Sequence, residues 1–200
     1  MQIILASKSP RRKEILKNLG IKFDIIQSDI DENRFKNLEP KQLVEKLAFE
    51  KANCVLKLHK KENITVIGSD TIVFIQNEIL GKPKNKEDAI NMLIKLNGKE
   101  HFVITGLAII GYKDGKYFEE ITYSLAKVYF GKYSLEEIKA YVNTKEPMDK
   151  AGAYAIQGIG SFLVEKIEGD FYTIVGLPFQ KLYKIFQKYN LFKNTQFNNK

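Results

Sequence analysis

Gln2-Ile3-Ile4-Leu5-Ala6-Ser7-Lys8-Ser9-Pro10-Arg11-Arg12-Lys13-Glu14-Ile15-Leu16 reads as a strand, a turn and the start of a helix. The uncharged apolar run at its head suits a short buried strand. Ser9 is placed to cap the helix, and Pro10 suits its first position, where a missing N–H costs nothing. Ile15, Leu16 and Leu19 recur at helical spacing, and Gly20 fits the residue just past the helix end. A buried strand that turns directly into a helix points to an α/β architecture.

The rest of the chain extends that pattern. A second strand is expected over residues 23–27, then an acidic turn, Asp29-Ile30-Asp31-Glu32. A long helix is expected over residues 40–58, with Leu43, Leu47, Ala48, Val55 and Leu56 facing inward. Residues 65–75 read as two β-rich runs joined at a break, Gly68-Ser69-Asp70. Asn77-Glu78 suits a hairpin tip and Gly81-Lys82-Pro83 a loop. Asn85, with Asp88 three residues on, caps a helix that Gly98 stops. Strands over 101–111 and 117–130 flank the turn Lys113-Asp114-Gly115, and Ser134 with Glu137 forms a capping box. A glycine-rich stretch over 152–160 precedes a strand over 162–167 and a last helix over 178–188. Crossovers and hairpins together predict an α/β fold with a mixed sheet flanked by helices. One domain is expected over residues 1–188, followed by a polar tail over 189–200 that should fray.

Composition excludes several classes. No apolar run reaches the roughly 18 residues needed to cross a bilayer, and residues 1–6 are too short for a signal peptide. A single cysteine, Cys54, cannot form an internal disulfide, so a reduced, cytoplasmic setting is expected, with Cys54 as a small hydrophobe on a helix. The net charge of +8 comes from lysines spread along the whole chain rather than clustered on one segment. Nucleic-acid binding is therefore not expected, while anionic small molecules remain compatible.

Only three of the 32 basic residues are arginines, and two of them, Arg11 and Arg12, are adjacent. Both fall in the first turn of the predicted helix, where cations oppose the helix dipole. Decoration of a solvated face is the bland alternative; a bound phosphate, gripped by planar guanidinium forks, would resolve the conflict. Ser7 and Ser9 add hydroxyls, although no Walker loop is present. Asp70 is either a turn-former or a functional carboxylate at a strand end. With Asp29, Asp31 and Glu32 it offers oxygen ligands for a hard divalent cation such as Mg²⁺ or Mn²⁺. Lys51 and Lys82 are further cations, otherwise a snorkelling helix residue and a loop charge. His59 and His101 support neither a Ser–His–Asp triad nor a histidine-built metal site.

In order along the chain stand Leu5-Ala6-Ser7-Lys8-Ser9-Pro10-Arg11-Arg12, Ser28-Asp29-Ile30-Asp31-Glu32, Leu47-Ala48-Phe49-Glu50-Lys51-Ala52, Ile67-Gly68-Ser69-Asp70-Thr71 and Leu80-Gly81-Lys82-Pro83. Asp149-Lys150-Ala151-Gly152-Ala153-Tyr154, Ile156-Gln157-Gly158 and Val175-Gly176-Leu177-Pro178 complete the series. This ordered set, spanning residues 3–187, resembles the Maf family. The resemblance implies a two-lobed mixed-sheet fold with a cleft, similar to inosine triphosphate pyrophosphatases. It also implies metal-dependent hydrolysis of a nucleoside triphosphate between the α- and β-phosphates. Asp70 would act as general base, with Glu32 helping to hold the metal. Ser7, Arg12, Lys51 and Lys82 match phosphate-side positions, and Arg11, Thr71 and Gln157 match positions tied to base choice. The Asp70-Thr71 pair and Gln157 resemble the branch acting on dTTP and UTP rather than the sister branch acting on 7-methyl-GTP. The family is also associated with inhibition of septum formation, so a nucleotide-binding regulator is the alternative to an enzyme. Oligomeric state is not readable from the residues; a homodimer is what the resemblance implies. Two positions depart from the family pattern: Ala155 replaces a usual glycine, and Asp170 stands where a small serine is common.

Overall fold

The computed structural model describes residues 1–59 and 62–192. In chain order the elements are β1 (Gln2–Leu5), α1 (Pro10–Asn18), β2 (Asp24–Ile25), α2 (Pro40–Leu56), β3 (Ile64–Ile75), β4 (Glu78–Leu80), α3 (Lys86–Leu96), β5 (Glu100–Lys113), β6 (Lys116–Phe130), α4 (Leu135–Asn143), β7 (Val164–Glu168), α5 (Phe171–Val175) and α6 (Phe179–Lys188), with short 3-10 turns between some of them. The strands form a seven-stranded sheet in the order β2-β1-β3-β5-β6-β7, with β4 added to β3. It is mixed: β1 runs parallel to β2 and β3, while β3–β4 and β6–β7 are antiparallel. Among the described residues no helix is long and apolar enough to cross a membrane.

The chain divides into two compact units. The first comprises Met1–Asp70, Thr105–Ser124 and Gly176–Lys200, and the second Thr71–Ile104 and Leu125–Val175. In the first unit, Ile4 and Ala6 pack with Ala48, Ala52, Val55, Ile64, Val66, Ala108 and Ile110. In the second, Val73 and Leu80 join Leu93, Leu96, Val103, Phe130, Ile138, Tyr141, Tyr154 and Leu163. Within the expected tail, Tyr189 stacks on Phe118, and Leu191 and Phe192 are buried; residues 193–200 lie outside the described residues.

Side-chain caps account for three helix starts. Asn85 Oδ1 accepts from the Asp88 N–H at 2.8 Å, and Ser134 and Glu137 form the reciprocal capping box. Asp170 accepts from the Tyr172 N–H and the Thr173 hydroxyl, and so starts the short helix α5, which the sequence pattern did not predict. Four expectations change. The strand expected over 23–27 is reduced to Asp24–Ile25, whose side chains are exposed. The strand expected over 162–167 begins only at Val164. The hairpin tip is Gln76-Asn77, both at positive φ, one residue earlier than expected. Gly68-Ser69-Asp70 is no break: β3 runs straight through it.

The reason lies in how α2 packs. A Cβ at Gly68 would overlap the Ala48 carbonyl oxygen and stand 2.9 Å from the Ala52 nitrogen. A Cβ at Gly106 would overlap the Val44 carbonyl in the same way. Backbone of α2 therefore rests directly on backbone of β3 and β5. Gly68 is there for that close approach, not for a turn.

His101, second residue of β5, is 1% exposed, with Nε2 2.7 Å from the Tyr154 hydroxyl and its ring edge-on to Phe130 and Tyr154. Burial pushes its pKa down from 6.5 to about 4. The folded state thus holds the neutral ring while the unfolded chain takes up a proton below 6.5. The protonation penalty is absent above that pH, and about 3 kcal/mol of stability is lost as pH falls from 6.5 through 4. The melting temperature of His101→Leu should accordingly fall less than that of the wild type over this window. Parallel curves would exclude His101 as the source.

Candidate active site

The first unit holds six of the nine expected residues: Ser7, Arg11, Arg12, Glu32, Lys51 and Asp70. Lys51, on α2, donates to Asp70 Oδ1 at 2.5 Å and to Glu32 Oε1 at 2.7 Å. The Lys51 and Asp70 side chains are 13% and 12% exposed, whereas Glu32 is 56% exposed at the rim. Glu32 opens a 3-10 turn, Glu32–Phe35, that Asp31 caps by accepting from the Asn33 N–H. Asp31 is therefore spent on local structure. Asp29 meets Cys54, a half-buried residue of α2, only through its main-chain oxygen. Of the acidic turn, Glu32 alone pairs with Lys51.

Arg12 lies in the first turn of α1. Its Nε donates to the Gly176 carbonyl at 2.7 Å, and Nη1 lies 3.4 Å from the Ser7 hydroxyl. Ser9 stands at the N-cap, yet its side chain makes no cap bond; Ser7 Oγ instead accepts from the Ser9 N–H at 3.1 Å. Burial lowers the pKa of Arg12; Asp70 opposes the shift, the like charge of Arg11 reinforces it, and Glu32 opposes it. A guanidinium stays charged even so. The result is a desolvated cation beside a second arginine at a helix start, an arrangement that favours an incoming anion.

Two residues here carry roles that the sequence did not reveal. Ser69 is fully buried, and its hydroxyl lies 2.8 Å from the Gly106 carbonyl and 2.9 Å from that of Gly176. One hydroxyl proton serves one of these carbonyls at a time. The Gly176 carbonyl thereby lies against both Arg12 and the residue preceding Asp70. No local signal could have found this link, because its ends are 107 and 164 residues apart in the chain.

The remaining expected residues belong to the second unit. Thr71 follows Asp70 along β3 and is half-buried. Lys82 is exposed in the loop after β4, whose Gly81 carbonyl accepts from the Gly152 N–H at 3.0 Å. Gln157 is exposed in the loop that leads to Gly158 and Ile159.

For a metal, the described residues gather no group of three or more His, Cys, Asp or Glu side chains. They do bring one oxygen each of Asp70 and Glu32 within 2.5 and 2.7 Å of a single cationic centre, the Lys51 ammonium. Two carboxylates on one point fit the hard-oxygen preference of Mg²⁺ or Mn²⁺, ions that commonly take one or two carboxylates and complete their shell with phosphate and water.

The model of Maf-like proteins matches residues 2–189. A dTTP/UTP pyrophosphatase of Aquifex aeolicus (strain VF5) is 49% identical over 195 residues, covering 98% of this chain and 99% of that one. A dTTP/UTP pyrophosphatase of Clostridioides difficile (strain 630) is also 49% identical over 195 residues, covering 96% and 98%. Among solved structures, a HAM1 protein from Coxiella burnetii aligns with a TM-score of 0.45 and 16% identity, over 82% of this chain and 80% of that one. With a family match across nearly its whole length, and relatives 49% identical over almost the full length of both chains, the chain belongs to the Maf family.

Proposed function

We propose that this enzyme hydrolyses dTTP and UTP to the nucleoside monophosphate and pyrophosphate. The observation that carries the reading is a buried carboxylate, Asp70, held at 2.5 Å by a lysine in the same unit as the desolvated Arg12 and its Ser7 neighbour. The names of the relatives supply the substrate class.

In this reading Ser7, Arg12, Lys51 and Lys82 bind the triphosphate, and their charges reduce its repulsion of a nucleophile. Asp70 orients a water and takes its proton as the oxygen attacks the α-phosphorus in line. The bond from that phosphorus to the bridging oxygen breaks, and pyrophosphate leaves with the electron pair. Asp70 then returns its proton to solvent. Mg²⁺ or Mn²⁺, held by Asp70 and Glu32, would supply further neutralisation of phosphate charge. Arg11, Thr71 and Gln157 select the base, since amide and hydroxyl groups match the carbonyl and N–H edge of thymine and uracil. A site built to hydrogen-bond discriminates strongly against a base that cannot reciprocate.

The test is pyrophosphate release from dTTP, UTP, CTP and 7-methyl-GTP, with and without added Mg²⁺. kcat/KM for dTTP and UTP should exceed that for 7-methyl-GTP at least ~100-fold. Preference for 7-methyl-GTP would overturn the assignment of substrate, and nucleotide binding without turnover would favour a regulator.

A further inference from the structure

The loop that carries Gln157 is fastened by a carboxylate outside the proposed catalytic groups. Glu146 follows Lys145, which sits at a φ of 66°, and opens a 3-10 turn, Glu146–Asp149. Its Oε1 accepts from the Gly160 N–H at 2.8 Å and from the Tyr141 hydroxyl at 3.0 Å. Its Oε2 accepts from the Ile159 N–H at 3.0 Å. Tyr141, on α4, is 2% exposed, and its hydroxyl is also hydrogen-bonded to the Ala155 backbone. Residues 155–160 are thus held on both sides of Gln157, at Ala155 through Tyr141 and at Ile159 and Gly160 through Glu146. Gly158, at a φ of +76°, completes the clasp: a Cβ there would stand 2.8 Å from Glu146 Oε2. Lys150 Nζ in turn donates to the Glu146 carbonyl at 2.5 Å. Burial alone would raise the Glu146 pKa, but the Gly160 and Ile159 N–H groups, the Tyr141 hydroxyl and the Lys150 charge outweigh it and hold the carboxyl below its usual range.

We propose that Glu146 is a positioning residue for base selection: its carboxylate fixes the backbone on which Gln157 is mounted, and through it the preference for thymine and uracil nucleotides. The proposal rests on Gln157 facing the base. An exposed glutamine next to Gly158 would otherwise lose much loop and side-chain freedom when it met a base, which weakens binding. Ordering the backbone during folding removes most of that loss from the binding step.

Glu146→Gln replaces one accepting oxygen with an NH₂ group, which then faces a donor. Tyr141→Phe keeps both backbone bonds to Glu146 and removes the hydroxyl, with its bonds to Glu146 Oε1 and to the Ala155 backbone. Glu146→Gln should raise KM for dTTP ~10-fold with kcat within ~2-fold, and lower the dTTP-to-CTP ratio of kcat/KM by a similar factor. Gln157→Ala should do the same, and the double variant should be no worse than either single one. Tyr141→Phe should move KM and the ratio in the same direction by ~3-fold, and it carries the test if Glu146→Gln fails to fold. A changed ratio in Gln157→Ala with none in Glu146→Gln or Tyr141→Phe would overturn the proposal and leave the base reading standing. An unchanged ratio in Gln157→Ala would remove the base reading and this proposal with it. A fall in kcat at constant ratio would mark Glu146 as merely structural, against the proposal.

Discussion

Asp70→Asn should lower turnover at least ~100-fold, the usual scale for losing a general base, while leaving the chain folded and able to bind nucleotide. The substitution conserves size and leaves an amide oxygen that can still accept from Lys51. Removing one partner of a buried ion pair ordinarily costs about 3–5 kcal/mol, because the other charge is stranded. Here Lys51 keeps Glu32 at 2.7 Å, so the loss of stability should be well below that range. Arg12 keeps its Gly176 and Ser7 contacts, so phosphate binding should survive. A purely structural Asp70 predicts the opposite, since Asn sits in extended backbone and accepts hydrogen bonds much as Asp does. Turnover, nucleotide affinity and melting temperature measured together decide the matter. Near-normal turnover at normal stability would place the chemistry elsewhere, with Glu32 the next residue to test.

The second large effect is on stability. Gly68→Ala adds a methyl group that overlaps the Ala48 carbonyl oxygen and lies 3.0 Å from the Ala52 Cβ. Neither neighbour is the free end of a long side chain, so α2 itself must shift. Overpacking against backbone belongs at the upper end of the usual penalty, about 3 kcal/mol. For a chain of this size that lowers the melting temperature by roughly 6–12 °C. Because α2 also carries Lys51, activity should fall with stability even below the transition. Gly81→Ala, where an added Cβ meets nothing within 4 Å, is the stability control. Equal melting temperatures for the two variants would contradict the close packing of α2 on β3.

These effects mark where sequence is legible and where it is not. The caps at Asn85 and Ser134 and the stripe on α2 were readable because their partners lie a few residues away. Gly68-Ser69-Asp70 was misread as a break because its composition suits a turn locally. What keeps glycine there is the backbone of residue 48, and what occupies the Ser69 hydroxyl are carbonyls of residues 106 and 176. Ser9 stands where a cap of α1 is expected, yet its side chain makes no cap bond and its own N–H is taken by the Ser7 hydroxyl. Of the three acids in one short turn, composition could not single out Glu32; only the reach of Lys51 does so. Motif order drew attention to Arg12, Lys51 and Asp70 together, and folding joins Arg12 to Ser7 and Lys51 to Asp70. The Glu146 clasp was invisible, since a glutamate in a surface turn reads as solvated charge.

The bond between Arg12 and the Gly176 carbonyl spans 164 residues, and it has a consequence for the nascent protein. Ribosomes add about 5–20 residues per second, so the guanidinium leaves the peptidyl-transferase centre roughly 10–30 s before its carbonyl partner is made. The first unit is assembled from three separate stretches, the last of which starts at Gly176 itself. No co-translational intermediate can complete this cradle, however early α1 and β1 form. A message truncated before codon 176 would yield a polypeptide with Arg12, Lys51 and Asp70 all present and no carbonyl to hold the guanidinium.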